Sequence, residues 1–486
     1  MFKPSLVFAV VVLLQSSVRA DCTIVPNPQT TWGTWDGWGT SLCWWAHVFG
    51  TNDTLADLVF TTNDTRLNGQ TLPALGLNIA RYNAGACSPN ASNGAVMQAS
   101  TNMPAFKQIQ GFWLDGSSAD PASASWSWSV DANQRTMLLK ARQRGANLLE
   151  LFSNSPLWWM CRNGNPSGAD SGTNDNLPPL NYQQQAVYLA TVARHARDHW
   201  GITFDSVEPF NEPMADWWSA TGTQEGCHFD VTTQSKVLGH LRSELNLRGL
   251  TTVKIAASDE NTYDQAVSTW NGFGPATKAL VGRVNVHGYQ YGEGRRDLLH
   301  AAVAGQRLWN SEYGDGDASG VSLARNLNLD FRLLHPAAWC YWQLFDGGGW
   351  GLIQAHPGRN RIGPANPKYY VLAHYTRHLR PGMTILDSGD DNTVTAYAAA
   401  TRKLVIVTMN YSPAQTITYN LSNFYGATGP VRRWETMTGT GSKYASFTDT
   451  TLSNKVFAVS FATNTIQTFE IQNVDINPPL RTSASH

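Results

Sequence analysis

The chain has 486 residues and a formal net charge of −1, from 35 basic and 36 acidic side chains. Charged residues make up only 15% of the sequence and hydrophobic residues 42%, which argues against a nucleic-acid-binding protein and against an intrinsically disordered one. The 19 tryptophans either fill a large core or provide flat apolar surfaces for neutral ligands such as sugar rings.

The first 20 residues are typical of a secretory signal peptide. An apolar run from Leu6 to Leu14 follows a single lysine, and Val18-Arg19-Ala20 has small residues where a signal peptidase requires them. The run is too short to cross a bilayer of about 30 Å. We therefore predict cleavage after Ala20 and a secreted, extracellular protein without a membrane anchor. Five Asn-x-Ser/Thr sites fit a glycoprotein, at Asn52, Asn63, Asn90, Asn410 and Asn420.

Six cysteines occur at positions 22, 43, 87, 161, 227 and 340. None forms a close pair of the kind found in zinc or redox sites, so a metal site is not expected. In an oxidising compartment we predict disulfides between Cys43 and Cys87 and between Cys161 and Cys227, because each pair would join loops that follow adjacent strands. Cys340 lies within a predicted strand, where a buried free thiol is the alternative.

Strand and helix patterns alternate along most of the chain. In Thr232–Arg248 and Val321–Leu334 the apolar positions fall on one helical face, and Asp131–Arg144 and Tyr182–His199 are further predicted helices. Eight strands alternating with helices favour a (β/α)₈ TIM barrel. An open doubly wound sheet is the alternative, but no glycine-rich dinucleotide fingerprint follows the first strand. The predicted strands are Gly37–Leu42, Leu77–Asn83, Asn147–Phe152, Phe204–Phe210, Val253–Ala257, Arg283–Tyr289, Arg307–Glu312 and Ala337–Leu344.

The pattern changes after the last predicted helix, Lys368–Leu379, which Arg380-Pro381-Gly382 ends. From there strands of period two alternate with turns, as in an antiparallel β-sandwich. We predict a barrel over residues 21–382, whose first residues could join the sandwich, and a side β-sandwich with a C-terminal tail over 383–486. The sandwich strands are predicted at Thr393–Ala398, Leu404–Met409, Thr416–Tyr419, Lys455–Phe461 and Thr465–Ile471.

Two glutamates lie at the ends of hydrophobic strands. Glu212 follows the fourth strand within Asn211-Glu212-Pro213, and Glu312 ends the seventh. In such a barrel the C-terminal strand ends face the active site. Either acid alone could be a surface residue or an ion-pair partner. Two carboxylates across a barrel mouth suit glycoside hydrolysis, in which one protonates the leaving oxygen and the other attacks the sugar or activates water.

Several segments resemble glycoside hydrolase family 30. Asn-Glu-Pro on strand four with a second Glu on strand seven is similar to the clan of retaining glycosidases built on (β/α)₈ barrels. The segments Ser153–Met160, Trp309–Gly314 and Tyr369–Gly382 resemble that family more specifically, and Thr31–Ala46 is similar to its fungal endo-β-1,6-galactanase branch. Leu157 departs from many relatives, which have proline there.

The resemblance implies that Glu212 is the acid/base and Glu312 the nucleophile. Retention of configuration requires the two carboxyl groups about 5 Å apart. We expect burial and the charge of Glu312 to raise the pKa of Glu212, and we expect this pKa to fall once Glu312 is esterified. Glu212 then changes from acid to base.

Polar residues at other strand ends are candidates for the substrate site. Arg81 can hold Glu312 ionised, with a structural ion pair as the alternative. Asn211 is expected to bind the sugar 2-hydroxyl. Tyr289 could donate to Glu312, and His287 could orient the site from behind.

Aromatic residues are candidates for sugar platforms. Trp342 on strand eight and Trp159 after strand three are predicted to stack on sugar faces, with a buried core position as the alternative. Asp36 and Trp38, taken as residues following the first strand, are expected to contact galactose hydroxyls. Tryptophans in loops could line further subsites, at Trp217, Trp218 and Trp350.

Together these features predict a secreted, retaining endo-β-1,6-galactanase that cleaves internal linkages of (arabino)galactan side chains by double displacement. No metal or organic cofactor is implied. The expected partner is a polysaccharide or oligosaccharide, with no nucleic acid and no membrane, and a monomer is expected. The alternatives are another family 30 specificity (β-1,6-glucanase, xylanase or exo-β-galactosidase) or a non-catalytic carbohydrate-binding protein.

Overall fold

A computed structural model describes residues 22–439 and 441–477. The predicted signal peptide lies outside these residues. Within the part of the chain that is described, no helix has the length and apolar character needed to span a bilayer.

Eight parallel strands close into a barrel, each pairing with its neighbours in chain order and the last with the first. All eight lie where the hydrophobic runs of the sequence predicted strands, which confirms the predicted TIM barrel. Most of their residues are buried, because helices cover the outside while side chains fill the inside. The strands are β1 (Gly37–Ser41), β2 (Ile79–Asn83), β3 (Leu148–Phe152), β4 (Ser206–Glu208), β5 (Lys254–Glu260), β6 (Val281–His287), β7 (Leu308–Tyr313) and β8 (Ala338–Tyr341).

A helix follows each barrel strand. Asn52, Asp230 and Thr262 cap three of these helices by accepting a backbone N–H of the first turn. The helices are α1 (Asp53–Phe60), α2 (Ala132–Gln143), α3 (Tyr182–His195), α4 (Val231–Leu247), α5 (Tyr263–Gly272), α6 (Arg296–Ala302), α7 (Val321–Leu329) and α8 (Pro367–Thr376). Two short helices, Trp45–Phe49 and Pro275–Lys278, lie in the connections.

A buried network of charges fills the middle of the barrel. Glu150 on β3 accepts from Arg81 Nε at 2.8 Å and also contacts the guanidinium of Arg283 on β6. Ser206 and Asn285 donate to the same carboxylate at 2.9 and 3.1 Å. All five side chains are buried. Because water does not stabilise these charges, the carboxylate and the two guanidinium groups must stabilise one another.

This network predicts a large effect on stability. Glu150→Ala removes the shared anion and leaves Arg283 without a carboxylate partner, so we expect the free energy of unfolding to fall by about 3–5 kcal/mol. Urea denaturation followed by tryptophan fluorescence measures the loss, with the exposed Glu293→Ala as control. A loss no larger than that of the control would mean that the network does not stabilise the barrel.

Two further sheets form the side domain. The first two strands of the chain, Cys22–Ile24 and Asn27–Thr34, join these sheets rather than the barrel. The helix α8 connects the two parts, since His374 lies between Thr468 and Thr436 at 2.8 and 2.9 Å. The larger sheet contains Asn27–Thr34, Thr384–Asp387, Thr393–Ala398, Lys403–Asn410, Thr465–Ile471, Val431–Met437 and Ala445–Phe447, and the smaller contains Cys22–Ile24, Gln415–Asn420 and Val456–Phe461.

Short strands also pair outside the barrel and the two main sheets. They are Thr65–Leu67 with Gln70–Leu72, Phe345–Asp346 with Ile353–His356 and Arg361–Ala365, and Gly426–Ala427 with Val474–Asp475.

Neither predicted disulfide is present, because all six cysteines are free thiols. The two cysteines of the first predicted disulfide contact other residues instead. Cys87 Sγ donates to Glu225 at 3.4 Å, and Cys43 Sγ accepts from Asn154 at 3.9 Å. Cys161 and Cys227 donate instead to nearby backbone carbonyl oxygens.

Candidate active site

Glu212 and Glu312 meet in one cavity of about 550 Å³ at the C-terminal end of the barrel strands. One oxygen of each carboxylate and one ring nitrogen of His287 lie within 4.8 Å of one another. The two glutamates are 6% and 4% exposed, so they are largely desolvated yet open to the cavity. The cavity is lined by Asn211, Glu212, Trp217, Trp218, Ser219, Thr221, Gly222, Thr223, Gln224, Asn261, Tyr289, Glu312, Trp342 and Trp350.

Glu212 has a backbone conformation that is rare outside glycine, with a φ of 49°. Its N–H donates to the carbonyl oxygen of Asp259 at 2.8 Å, which holds the turn after β4 against β5. Its Oε1 accepts from Asn261 Nδ2 at 2.7 Å and lies 3.0 Å from His287 Nδ1. The backbone strain and the two contacts direct this carboxyl group into the cavity.

Glu312 lies one residue before the end of β7, and both of its carboxylate oxygens are contacted. Oε1 accepts from the Tyr289 hydroxyl at 3.0 Å, and Oε2 accepts from Arg81 Nη1 at 3.2 Å. Burial raises the pKa of Glu312 to about 7, and the charge of Glu212 acts in the same direction, whereas His287 and Arg81 oppose it. The protonation of Glu312 therefore depends on the charged groups beside it.

His287 at the end of β6 lies between the two glutamates. Its Nδ1 is 3.0 Å from Glu212 and 3.5 Å from Glu312, and its Nε2 is 3.2 Å from Asp259. Burial lowers the pKa of His287, but the charges of Glu312 and Asp259 outweigh it and raise this pKa well above the usual value. Glu212, His287 and Glu312 are close enough to ligate a metal ion. Two carboxyl groups on either side of an imidazole also suit proton transfer.

Several predicted residues lie at the cavity. Asn211 and Trp342 line it, as do the three loop tryptophans Trp217, Trp218 and Trp350. Asn211 Oδ1 is buried and accepts no hydrogen bond within the described chain, so it is free to accept one from a ligand hydroxyl.

Arg81 acts from behind the cavity. Its side chain is 0% exposed and ion-pairs with Glu150, Asp259 and Glu312, so Arg81 contacts the nucleophile candidate as expected and does not reach the substrate directly.

The predictions for Asp36 and Trp38 are wrong. Asp36 precedes β1 and so lies at the opposite end of the barrel, where Arg307 and Trp309 bind its carboxylate, the latter at 2.8 Å. Trp38 is 1% exposed, and its Nε1 donates to the carbonyl oxygen of Leu379 at 2.7 Å. Asp36 precedes the first barrel strand and Trp38 is its second residue, so neither follows the strand.

Trp159 is also not part of this cavity. Its Nε1 donates to the carbonyl oxygen of Trp113 at 3.1 Å, and the two rings meet edge to face. Trp159 therefore packs against its neighbours, which was the alternative role, and is not a sugar platform in this cavity.

Two residues of β5 and its end were not predicted. Asn261 donates to Glu212, and Asp259 contacts Arg81, Ser311 and His287. Although burial acts against it, Arg81 and His287 hold the pKa of Asp259 below its usual value. The polar run Ser258–Asn261 at the end of a barrel strand was the available signal.

Comparisons with known proteins identify the family. The family described as O-Glycosyl hydrolase family 30 matches residues 21–277. An endo-beta-1,6-galactanase from Hypocrea rufa is 55% identical over 478 residues, which cover 97% of this chain and 98% of that protein. The chain belongs to glycoside hydrolase family 30. The predicted family is thereby confirmed.

Solved structures match the barrel and the side domain together. The catalytic domain of GH30 xylanase C from Talaromyces cellulolyticus has a TM-score of 0.69 at 19% identity, covering 93% of this chain and 100% of that one. A conserved exported protein from Bacteroides fragilis has a TM-score of 0.73 at 18% identity, covering 92% and 100%. At such identities the likeness concerns the fold, which family 30 shares here over nearly the whole chain.

Proposed function

We propose that this family 30 enzyme hydrolyses internal β-1,6-galactosyl linkages of galactan and arabinogalactan side chains with retention of configuration. The observation that carries the proposal is the pairing of Glu212 and Glu312 within 4.8 Å in a cavity. The high identity to an endo-beta-1,6-galactanase supports this substrate over glucan or xylan.

In the first step Glu312 attacks the anomeric carbon while Glu212 donates its proton to the glycosidic oxygen. Retaining enzymes need carboxyl groups about 5–5.5 Å apart, whereas inverting ones need about 6.5–9.5 Å to admit a water molecule. The short separation supports double displacement. Tyr289 and Arg81 each hold one oxygen of Glu312, so the attacking carboxylate is oriented before substrate arrives.

In the second step water hydrolyses the ester between Glu312 and the sugar. Esterification removes the negative charge of Glu312 beside Glu212, which favours the ionised form of Glu212 and makes it the base for that water. Asn211 Oδ1, which is unpartnered in the described chain, can accept from the sugar 2-hydroxyl, a contact that strengthens in the transition state.

Endo action is supported by aromatic residues on two sides of the carboxylates. Trp217 follows β4 and Trp350 follows β8, which are diametrically opposed in an eight-stranded barrel. The two indoles are 46% and 41% exposed, so each offers a flat face to a sugar unit. A galactan chain bound between them would extend beyond the scissile bond in both directions.

Removing either platform tests this interpretation. We expect Trp217→Ala and Trp350→Ala each to raise KM for β-1,6-galactan about fivefold with a smaller change in kcat, because a stacking contact of about 1 kcal/mol is lost. The control is Trp32→Ala, since Trp32 is 39% exposed but lies outside the cavity. Equal KM values for all three variants and the wild type would contradict the platforms.

The product profile tests the function as a whole. Purified enzyme is incubated with debranched β-1,6-galactan, β-1,6-glucan and xylan, and early products are separated by length. We expect a ladder of galactooligosaccharides from galactan alone, with the β-anomer seen first by NMR. A single short product would indicate exo action, the α-anomer would indicate inversion, and release from glucan or xylan instead would refute the specificity.

We further propose that the enzyme acts outside the cell as a monomer after removal of residues 1–20. The purified extracellular protein should begin at Asp21 and elute as one chain. Glycans are expected at exposed sequons such as Asn63 and Asn90. Asn410 is excluded, because it is 2% exposed and its Nδ2 donates to three carbonyl oxygens.

A further inference from the structure

Glu225 is a buried carboxylate outside the catalytic pair. It is 0% exposed, and all of its donors are uncharged. Oε1 accepts from the backbone N–H of Ala86 at 2.9 Å and from Cys87 Sγ at 3.4 Å, and Oε2 accepts from Asn83 Nδ2 at 2.9 Å. Burial raises the pKa of Glu225 to about 7 although these donors oppose the shift. Such a group is costly to bury, so a role other than filling the core is indicated.

The contacts of Glu225 connect loops from three barrel strands. Its donors lie at the end of β2 and in the loop that follows, whereas Glu225 belongs to the loop after β4. Asn83 Oδ1 also accepts from the backbone N–H of Asn154, which follows β3. The carboxylate is therefore an anchor by which the β4 loop is held to its neighbours.

The β4 loop, residues 216–226, forms one wall of the catalytic cavity. Seven of its residues line the cavity, namely Trp217, Trp218, Ser219, Thr221, Gly222, Thr223 and Gln224. The anchor Glu225 follows directly after them, so its carboxylate determines where this wall ends.

A second chain of contacts links the anchor to Glu212. Gly226, next to Glu225, lies against the ring of Trp218 so closely that a Cβ there would come within 2.0 Å of it. Trp218 Nε1 in turn donates to the carbonyl oxygen of Glu212 at 2.9 Å. A displacement of the anchor would therefore shift Trp218, which forms part of the wall.

We propose that Glu225 is a positioning residue that fixes the β4 loop for binding of galactan units beyond the sugar at the scissile bond. This inference rests on the proposed function. Glu225 touches no substrate itself, because its side chain is fully buried. Its effect should grow with the number of sugar units that the loop contacts.

Two substitutions and two substrates test the anchor. Glu225→Ala leaves Asn83 Nδ2 and the Ala86 N–H without their acceptor, whereas Glu225→Gln retains one acceptor oxygen and should rescue part of the effect. For a β-1,6-galactooligosaccharide we expect Glu225→Ala to lower kcat/KM about tenfold or more, mainly through KM. For an aryl β-galactoside we expect a loss of no more than about threefold.

The control is Glu244→Gln, which removes a buried acid of α4 that pairs with Arg248 away from the cavity. Equal losses of kcat/KM on both substrates would overturn the proposal, because a variant that is merely destabilised would show the same. Unchanged kinetics on both substrates would also overturn it. A larger loss on the oligosaccharide than on the aryl galactoside supports it.

Hydrogen exchange provides a readout that is independent of substrate. We expect faster exchange in residues 216–226 of both Glu225 variants than in the wild type and in Glu244→Gln. Unchanged exchange there would overturn the anchor even if the enzyme is a galactanase. A wild type inactive on galactan would refute the proposed function alone.

Discussion

Glu312→Ala is expected to reduce kcat by about 10⁴-fold or more while the protein still folds and binds galactan. Without this carboxylate no group within the site can form the ester with the anomeric carbon. The barrel should survive, because Arg81 keeps Glu150 and Asp259 as partners when its contact with Glu312 is lost. The wall formed by Trp217 and Trp218 is also unaffected, so affinity for galactan should persist.

Kinetics with an activated aryl β-galactoside measure the loss, and tryptophan fluorescence titration with galactooligosaccharide measures the remaining affinity. Azide can enter the space left by the carboxylate and attack the anomeric carbon from that face, so the variant with azide should release an α-galactosyl azide. In the wild type, a slowly hydrolysed fluorinated galactoside should label Glu312. Undiminished hydrolysis by the variant, or a label on another residue, would contradict the assignment.

The barrel could be predicted because its strands are short hydrophobic runs between amphipathic helices. The apolar stripe of α4 at Val237, Leu238, Leu241 and Leu245 is buried as expected. The catalytic pair could be predicted for the same reason, since a parallel barrel brings all C-terminal strand ends to one mouth. Strand position therefore predicts the location of Glu212 and Glu312 without any knowledge of side-chain contacts.

The contacts around Glu212 and Glu312 could not be predicted from the positions of the strands. The expected fifth strand ended at Ala257 because Ser258, Asp259 and Glu260 are polar, but these residues continue β5 and are buried against other charges. A hydrophobic pattern cannot identify a strand whose inward side chains are stabilised by ion pairs. Asn261 was missed as a consequence.

The tryptophans show a related limit. Composition cannot distinguish a platform from a core residue, and most of the tryptophans are buried, Trp38 among them. The loop residues Trp217 and Trp350 are the exposed ones at the cavity. Which role each ring has depends on whether helices or solvent cover it, and this is decided by the tertiary fold.

Glu212→Ala is expected to lower kcat about 10²- to 10⁴-fold on galactan, where the leaving sugar needs a proton. The first step on an aryl galactoside with an acidic phenol should be much less affected, because that leaving group departs unprotonated. The glycosyl-enzyme ester should then accumulate, since the base for water is missing. Azide can replace that water and should give a β-galactosyl azide, the configuration opposite to that expected from Glu312→Ala.

The pH profile gives this prediction a second readout. Turnover of galactan requires Glu212 to be protonated, so that it can serve the leaving group, and Glu312 to be ionised, so that it can attack. We therefore expect kcat/KM on galactan to fall at alkaline pH, as the acid for the leaving group loses its proton. The rate should also fall at acidic pH, as a second proton neutralises the nucleophile.

In Glu212→Ala the alkaline decrease should disappear, because no acid remains to be deprotonated. The acidic decrease should remain, because it reports the protonation of Glu312, which this variant retains. Asn261→Ala is the matched control, since it removes the 2.7 Å contact to Glu212 but keeps both carboxyl groups, and its profile should retain both decreases. A Glu212→Ala profile that keeps the alkaline decrease would assign that ionisation to another group.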